Sequence, residues 1–261
     1  MQAFDYQTPK TVADAVSAGA QEDARYIAGG QTLLQSMKLG LLAPSAVIDL
    51  SGIAELQGIC RDGDALVIGA ATTHAEVAAS PDVKALIPAL ADLAGHIGDR
   101  QVRHRGTLGG SLANNDPAAC YPAAVLGLGA TVHTNQRKIA ADDFFLGVYT
   151  TALNEGEVIT AVSFPIPTKA GWQKFKQPAS RFSLVGVFVS QGPAGVRVAV
   201  TGAGSGGVFR AGELEAKLAA DYSAAALVGA TVSAADLNSD LHASAEYRAA
   251  LIPVLAARAV G

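Results

Sequence analysis

Two short glycine-rich segments contain the residue types best suited to binding chemistry. Each has a double glycine with a hydroxyl residue beside it, at or near a predicted helix start. Glycine permits positive φ and close approach of the backbone, so successive N–H groups can converge on an anion. The start of a helix adds about half a positive charge, which makes a pyrophosphate a suitable ligand. The segments are Ala28, Gly29, Gly30, Gln31 and Thr32, called the first loop, and Thr107, Leu108, Gly109, Gly110 and Ser111, called the second loop.

A tight turn between a strand and a helix would use the same residues, and this alternative holds for either loop by itself. Two such loops in one chain favour an anionic ligand. Neither loop contains the lysine of a GxxxxGK[ST] motif, and neither has the GxGxxG spacing of a Rossmann turn. We therefore expect any bound dinucleotide to lie in a different fold.

Composition excludes several classes of partner. The sequence has 19 Lys and Arg against 23 Asp and Glu, a net charge of −4, without the basic background that nucleic acid or an anionic membrane requires. No apolar run approaches the roughly 20 residues of a spanning helix, and the N-terminus does not resemble a signal peptide. We expect a cytoplasmic protein with no nucleic-acid partner and no membrane span.

The cysteines and histidines do not form a metal-binding pattern. Cys60 and Cys120 are the two cysteines, and their spacing fits neither CxxC nor a zinc site. The five histidines are scattered without an HxxxH or HxxE pattern. We therefore expect no metal site and no iron–sulfur cluster in this chain.

Periodicity predicts the elements that position the first loop. Residues 8–20 predict a short helix with Thr11 as N-cap and Asp14 at the N3 position. Residues 24–30 have strand character up to the double glycine, and residues 32–40 resume helical spacing. The first loop is therefore expected between a strand and a helix.

The second loop follows a helical region predicted over residues 74–95, with Pro81 and Pro88 as interruptions. Strand-like runs then continue to the pair Pro165 and Pro167. We place a domain boundary near residue 168, which gives the 261-residue chain two modest domains.

Beyond this boundary the pattern changes to two strands around a glycine-containing turn, over residues 182–204. The alanine-rich remainder from Ala211 predicts helix. Pro253 lies inside that pattern and should cost about 3 kcal/mol or kink the helix.

Four segments carry a family resemblance in order along the chain: AGGQTLLQSMKLG, HIGDRQVRHRGTLGGSLANNDPAACYPAAVLGLGA, ADDFFLG and LHASAEYRAALIPVLAARAV. Together they resemble the medium, FAD-binding subunit of the carbon monoxide dehydrogenase and xanthine dehydrogenase family of molybdenum hydroxylases. The glycine loops within their flanking sequences are the most specific part of this resemblance.

The resemblance implies an α+β fold in two domains. Residues 1–168 would form an FAD-binding domain of the vanillyl-alcohol oxidase (PCMH) type, built from two subdomains. Residues 169–261 would form a small C-terminal α+β domain with a three-stranded antiparallel sheet. The ten residues of the two loops would embrace the FAD pyrophosphate.

One departure from the family concerns the stretch after the second loop. The family often reads AHADPAAD or AHADPAAE there, whereas this chain reads ANNDPAAC, with Cys120 in place of an acid that helps to hold the sugar side of the flavin. A thiol is a poor acceptor, so either Asp116 or a neighbour replaces the acid or FAD binds less tightly. The alternative reading of Cys120 is a small buried hydrophobic residue.

A second candidate flavin contact lies in KFKQPASRF. This stretch resembles a family segment in which a lysine approaches the flavin ring, and Lys174 is the preferred match, with Lys176 as the alternative. A positive charge there would stabilise the reduced flavin. The other interpretation of either lysine is a solvated surface charge.

Two further charged groups also leave alternatives open. The basic cluster before the second loop could steady phosphates, face an acidic partner, or form solvated or ion-paired turns; it consists of Arg100, Arg103, His104 and Arg105. Asp142 and Asp143 are adjacent and have no evident acid–base partner, so we expect them to cap a helix formed by FFLG.

The resemblance implies a flavoprotein subunit that passes electrons and has no catalytic side chain of its own. It would take electrons from the [2Fe–2S] clusters of a small partner and pass them to an external acceptor, while a large partner holds the molybdenum cofactor. The expected assembly is a dimer of heterotrimers. The alternatives are a self-contained flavin oxidase or reductase and a structural subunit without FAD. The substrate, whether carbon monoxide, an aldehyde or an N-heterocycle, would be selected in the large partner.

Overall fold

The structure is a computed structural model that describes residues 2–261. Short helices alternate with short strands over the first two thirds of the chain, and one long helix ends it. The helices are α1 (Val12–Gly19), α2 (Leu33–Lys38), α3 (His74–Ala79), α4 (Pro81–Leu86), α5 (Pro88–Gly95), α6 (Arg100–Arg105), α7 (Leu108–Asn114), α8 (Tyr121–Leu128), α9 (Ala141–Phe144), α10 (Gly212–Ala220) and α11 (Ala245–Val260).

Short 3-10 turns lie at Ala54–Leu56 and Ala224–Leu227. The strands are β1 (Asp5–Gln7), β2 (Arg25–Ile27), β3 (Ala46–Asp49), β4 (Ile59–Asp62), β5 (Ala65–Gly69), β6 (Thr131–Thr134), β7 (Lys138–Ala140), β8 (Phe145–Gly147), β9 (Thr150–Thr151), β10 (Ile159–Pro165), β11 (Lys169–Lys176), β12 (Ser183–Gly192), β13 (Gly195–Thr201) and β14 (Phe209–Arg210).

Side-chain caps and prolines determine where the early helices begin. Thr11 accepts a hydrogen bond from the Asp14 backbone, which confirms the predicted cap of α1. Thr73 and Glu76 form a reciprocal capping box at α3. The predicted interruptions of the 74–95 region are also confirmed, because Pro81 and Pro88 each occupy the first position of a new helix.

Two larger sheets and the two-stranded sheet β8-β9 make up the first part of the chain. A parallel sheet has the order β1-β3-β2, with α1 packed against β3. A five-stranded antiparallel sheet has the order β4-β5-β10-β6-β7, with β10 between β5 and β6. The first loop begins where β2 of the parallel sheet ends.

The remaining large sheet is antiparallel, with the order β11-β12-β13-β14. The sheet was expected to have three strands; the structure has a fourth, because the two-residue β14 pairs with Ala199 and Val200 on β13. The long helix α11 packs on β11 and β12 and continues through Pro253. The helical prediction after Ala211 is wrong for residues 228–244, where the described chain contains no helix.

The prediction that Asp142 and Asp143 cap a helix is wrong. Both residues lie inside α9, whose N-cap position is Ala140, and the following Phe145 already belongs to β8. Asp142 instead forms ion pairs with Arg197 and Arg210 across the fold. The Arg197 hydrogen bond and charge lower the pKa of the Asp142 carboxyl below its usual value.

Buried apolar side chains form three clusters. The largest joins the five-stranded sheet to α3–α5 and α7–α9 and includes Trp172 and Phe188 from the later sheet. A second lies between that later sheet and α10 and α11, and a small third cluster packs α1 on the parallel sheet. Within residues 2–261, no helix is both long and apolar enough to cross a membrane.

Candidate functional site

The first loop turns the chain from β2 into α2. Gly30 has a φ of +70°, a conformation that favours glycine, and its carbonyl accepts the Leu34 N–H at 3.2 Å. Within residues 2–261, the backbone N–H groups of Gly29, Gly30, Gln31 and Thr32 have no acceptor. The loop is also half-buried to exposed, so these donors are available to a ligand.

The second loop begins α7 and is held more firmly. Thr107 is the N-cap, and its hydroxyl accepts the Gly110 N–H at 3.1 Å. Backbone hydrogen bonds from Leu108 to Thr72 (3.1 Å) and from Gly109 to Ala70 (2.8 Å) attach the loop to the segment before α3. Within the described chain, the Thr107 N–H itself has no acceptor.

The fold brings the two loops side by side, although 75 positions separate Thr32 from Thr107. A Cβ atom on Gly29 would overlap the carbonyl oxygen of Arg105 and lie 2.7 Å from the Gly106 Cα atom. A Cβ on Gly110 would be 3.9 Å from that of Ala28. Glycine is therefore required at position 29 by the approach of the neighbouring backbone.

Asp116 and Lys174, the other predicted site residues, have partners within the chain. Asp116 accepts hydrogen bonds from the Ala118 N–H at 2.8 Å and the Tyr149 hydroxyl at 3.2 Å. The Lys174 ammonium donates to the His96 carbonyl at 3.0 Å and to the Cys120 Sγ at 3.3 Å. Lys174 is thus joined to the position where the family has an acid, whereas Lys176 is exposed.

Cys120 is buried, as one of the two sequence interpretations required, but it is not in a purely apolar environment. Besides Lys174, its Sγ lies 3.6 Å from the Ser183 hydroxyl on β12. This small polar cluster joins the start of α8 to β11 and β12.

In the basic cluster of α6, Arg103 has a structural role. Arg103 donates to the carbonyls of Ile97 (3.0 Å) and Gly98 (3.1 Å), which closes the turn before α6. Across residues 2–261, none of the four basic residues forms an ion pair with a carboxylate. The ion-paired interpretation of this cluster is therefore wrong.

Two residues of the site region were missed from the sequence. Asn115 has a left-handed φ of +42°, and its side-chain amide donates to the carbonyls of Gly147 (2.8 Å) and Thr150 (2.9 Å), so it fixes the β8–β9 hairpin beside α7. The tolerance of asparagine for this conformation was the available signal. His74 is buried beneath the second loop, and no spacing pattern marks it.

The comparison with known proteins agrees with this architecture. The carbon monoxide dehydrogenase medium chain of Hydrogenophaga pseudoflava is 34% identical over 98% of this chain and 96% of its own length. The nicotine 6-hydroxylase medium subunit of Paenarthrobacter nicotinovorans is 36% identical over 99% and 96%. Among solved structures, reconstituted CO dehydrogenase from Oligotropha carboxidovorans superposes with a TM-score of 0.89, at 32% identity over 99% of this chain and 96% of that chain.

These relatives are subunits of dehydrogenases and hydroxylases, and the chain is likewise an oxidoreductase subunit. Residues 2–167 match the family described as the FAD binding domain in molybdopterin dehydrogenase, and the chain belongs to that family. The predicted family and its cofactor, FAD, are confirmed.

Proposed function

We propose that this chain is the electron-transferring FAD subunit of a molybdenum hydroxylase, with the FAD pyrophosphate held between the first and second loops. The proposal rests on two adjacent loops that together leave five backbone donors without acceptors within the described chain, four in the first loop and the Thr107 N–H in the second. Buried or half-buried N–H groups, such as those of Gly29, Gly30 and Thr107, are almost always paired in proteins, so their lack of acceptors supports an anionic ligand.

Each loop would contribute different donors. The N–H groups of Gly29, Gly30, Gln31 and Thr32 come from the first loop, and the Thr107 N–H comes from the second. Hydrogen bonds from such donors to charged phosphate oxygens are about twice as strong as neutral ones. Leu108 and Gly109 are buried, whereas Gly110 is exposed and Ser111 half-buried, so the latter two would border the ligand.

The flavin, when bound, supplies the capacity to accept and release electrons, and the protein supplies position and electrostatics. Lys174 would place a positive charge near the ring, and no carboxylate pairs with that charge, since Lys174 donates to a thiol and a carbonyl. Asp116 would be the acceptor on the sugar side that replaces the missing acid at position 120. The chain needs no nucleophile or general base for this role.

We propose a division of the chain near residue 168. The family match to residues 2–167 supports an FAD-binding domain over 1–168, of the vanillyl-alcohol oxidase type with two subdomains. The buried cluster formed by the later sheet with α10 and α11 supports a separate C-terminal domain over 169–261. The few side chains that join the clusters, such as Trp172, would form the contact between them.

We further propose two partner subunits, a large one with the molybdenum cofactor and a small one with [2Fe–2S] clusters, in a cytoplasmic dimer of heterotrimers. The relatives named medium chain or medium subunit support this arrangement, since that name implies companions of other sizes. Electrons would pass from the small partner to FAD and then to an external acceptor.

Co-expression with candidate large and small partner subunits tests the electron-transfer role. The purified complex should contain flavin, iron and molybdenum, and its flavin absorption should bleach when an oxidisable substrate is added without acceptor. The isolated chain should hold flavin but show no turnover. Turnover by the isolated chain would establish a self-contained flavoenzyme instead, and a complex that is active without flavin would establish a structural subunit.

A further inference from the structure

A buried histidine lies directly beneath the second loop. His74 is 5% exposed and begins α3, and its backbone N–H donates to the Gly106 carbonyl at 2.9 Å. An isolated antiparallel bridge between Thr73 and Thr107 continues this contact. The backbone of the second loop is therefore registered against residues 72–74.

The imidazole ring of His74 occupies the space beside the Gly106 Cα atom. A Cβ atom on Gly106 would lie 2.6 Å from the His74 Nε2 atom and 2.9 Å from its Cδ2 atom. The backbone of Gly106 does not itself require glycine, because its φ of −63° and ψ of 140° suit any residue. The ring, rather than the local backbone conformation, thus accounts for the glycine at this position.

The ring is also held on its other side. It packs against Tyr121, which is fully buried, with ring centroids 5.3 Å apart. Burial, reinforced by the charge of Arg103, lowers the pKa of His74 to about 4, so the ring is neutral at physiological pH. Within the described chain, the Nδ1 atom has no hydrogen-bond partner, although burying an unpaired polar atom is costly.

We propose that His74 is a positioning residue for FAD: its ring, wedged between Tyr121 and Gly106, fixes the backbone of Gly106 and Thr107 so that the Thr107 N–H points to the pyrophosphate. The inference rests on the proposed function. The residue acts through the loop and does not touch the flavin.

Binding of three probes to the full chain separates positioning from general support of the fold. FAD and ADP contain a pyrophosphate, whereas riboflavin contains the flavin ring without any phosphate. His74→Ala should weaken binding of FAD and ADP by about tenfold and leave riboflavin binding unchanged. His242→Ala, at an exposed histidine, is the matched control and should change none of the three.

A double-mutant cycle tests whether the effect passes through Gly106. Gly106→Ala should weaken FAD binding because its methyl group meets the His74 ring, and the double variant with His74→Ala should bind FAD more tightly than Gly106→Ala does. Circular dichroism and thermal melting would report whether each variant folds. If His74→Ala does not fold, the test uses Gly106→Ala alone. This variant should lose binding of FAD and ADP but not of riboflavin, and the proposal is overturned if that selective loss is not seen.

Equal losses for FAD and riboflavin, unchanged FAD binding in His74→Ala, or strict additivity in the cycle would also overturn the role of His74. A wild-type chain that binds neither FAD nor ADP, alone or in its complex, would instead overturn the proposed function.

Discussion

The two glycine loops share a sequence pattern but are held in different ways. The second loop is attached to residues 70–74 by backbone hydrogen bonds and starts with a capping threonine, Thr107. The first loop has an unused hydroxyl at the equivalent place, because Thr32 makes no side-chain cap to α2. Its shape depends instead on the approach of Arg105 and Gly106, which lead into the second loop, to Gly29.

The two loops therefore have different roles, which their shared sequence pattern does not reveal. The second loop is a rigid part of the core surface, with buried Leu108 and Gly109 beneath it. The first loop supplies most of the unpaired donors and is positioned by its neighbour. Substitutions in the second loop should therefore affect folding and binding, whereas distal residues of the first loop should affect binding with little change in stability.

The largest effect is expected where the first loop meets Arg105 and Gly106, the two residues that lead into the second loop. Gly29→Ala introduces a methyl group that overlaps the Arg105 carbonyl, and this backbone cannot move away as a flexible side chain could. We expect a cost of about 3 kcal/mol, or more than about 100-fold in FAD affinity. Fluorescence titration with FAD measures it. Gly212→Ala, at an exposed glycine with open space around it, is the control, and equal affinities of the two variants would contradict the paired-loop geometry.

The second loop should respond in stability as well as binding. Gly109→Ala places a methyl group 2.6 Å from the Ala70 Cβ and 2.9 Å from the Ala70 carbonyl oxygen, inside the packed core. Overpacking of this kind costs about 1–3 kcal/mol in the free energy of unfolding. Urea denaturation of the FAD-free chain measures the cost. Unchanged stability would show that the second loop is as loosely held as the first.

Acid stability should come from a region outside both loops. Glu157 is buried, and its hydrogen bonds to Arg137, the Asn154 N–H and Thr134 lower its pKa to about 2. Because this pKa is depressed, the stabilisation is complete above about pH 4.5 and is lost as the pH falls towards 2.

The corresponding variant, Glu157→Gln, should lose about 2 kcal/mol at pH 7 and show a smaller loss of stability with acid than the wild type. Denaturation curves between pH 2 and 7 make the comparison.

None of the ten loop residues has an ionisable side chain, so the FAD affinity of the wild type should be level between pH 5 and 8. A steep change of affinity in that range would require a titrating group at the ligand.

The smallest predicted effect compares the two threonines directly. Thr107→Ala removes a cap and should destabilise the chain by about 1 kcal/mol, with recovery in Thr107→Ser. Thr32→Ala removes no cap and should stay within about 0.5 kcal/mol of the wild type. Both are measured by denaturation without FAD, and equal losses would remove the distinction between the loops.

Local signals made the elements around the loops predictable. Thr11, Pro81 and Pro88 act within one helical turn of their own position, so their effect can be read from neighbouring residues. The glycine pairs were equally visible. No local signal predicted the contact between Gly29 and Arg105, because that contact depends on how β2 and α6 pack.

The errors in prediction have the same origin. Asp142 was expected to cap a helix, and its actual partner Arg197 lies 55 positions away on β13. His74 carried no motif, and its importance follows from the ring that it places against Gly106. The pairing of β14 with β13 was missed because a two-residue strand is too short to show alternation.

The most direct test of the central claim is the flavin content of the purified complex with and without a charge in the second loop. Gly110→Asp would place a carboxylate at the exposed position facing the first loop, and Gly212→Asp places the same charge at a distant exposed site. We expect stoichiometric FAD, released and identified by chromatography, in the wild type and in Gly212→Asp, and loss of FAD in Gly110→Asp. Full FAD occupancy in Gly110→Asp, or a colourless wild-type complex that takes up no added FAD, would contradict the claim.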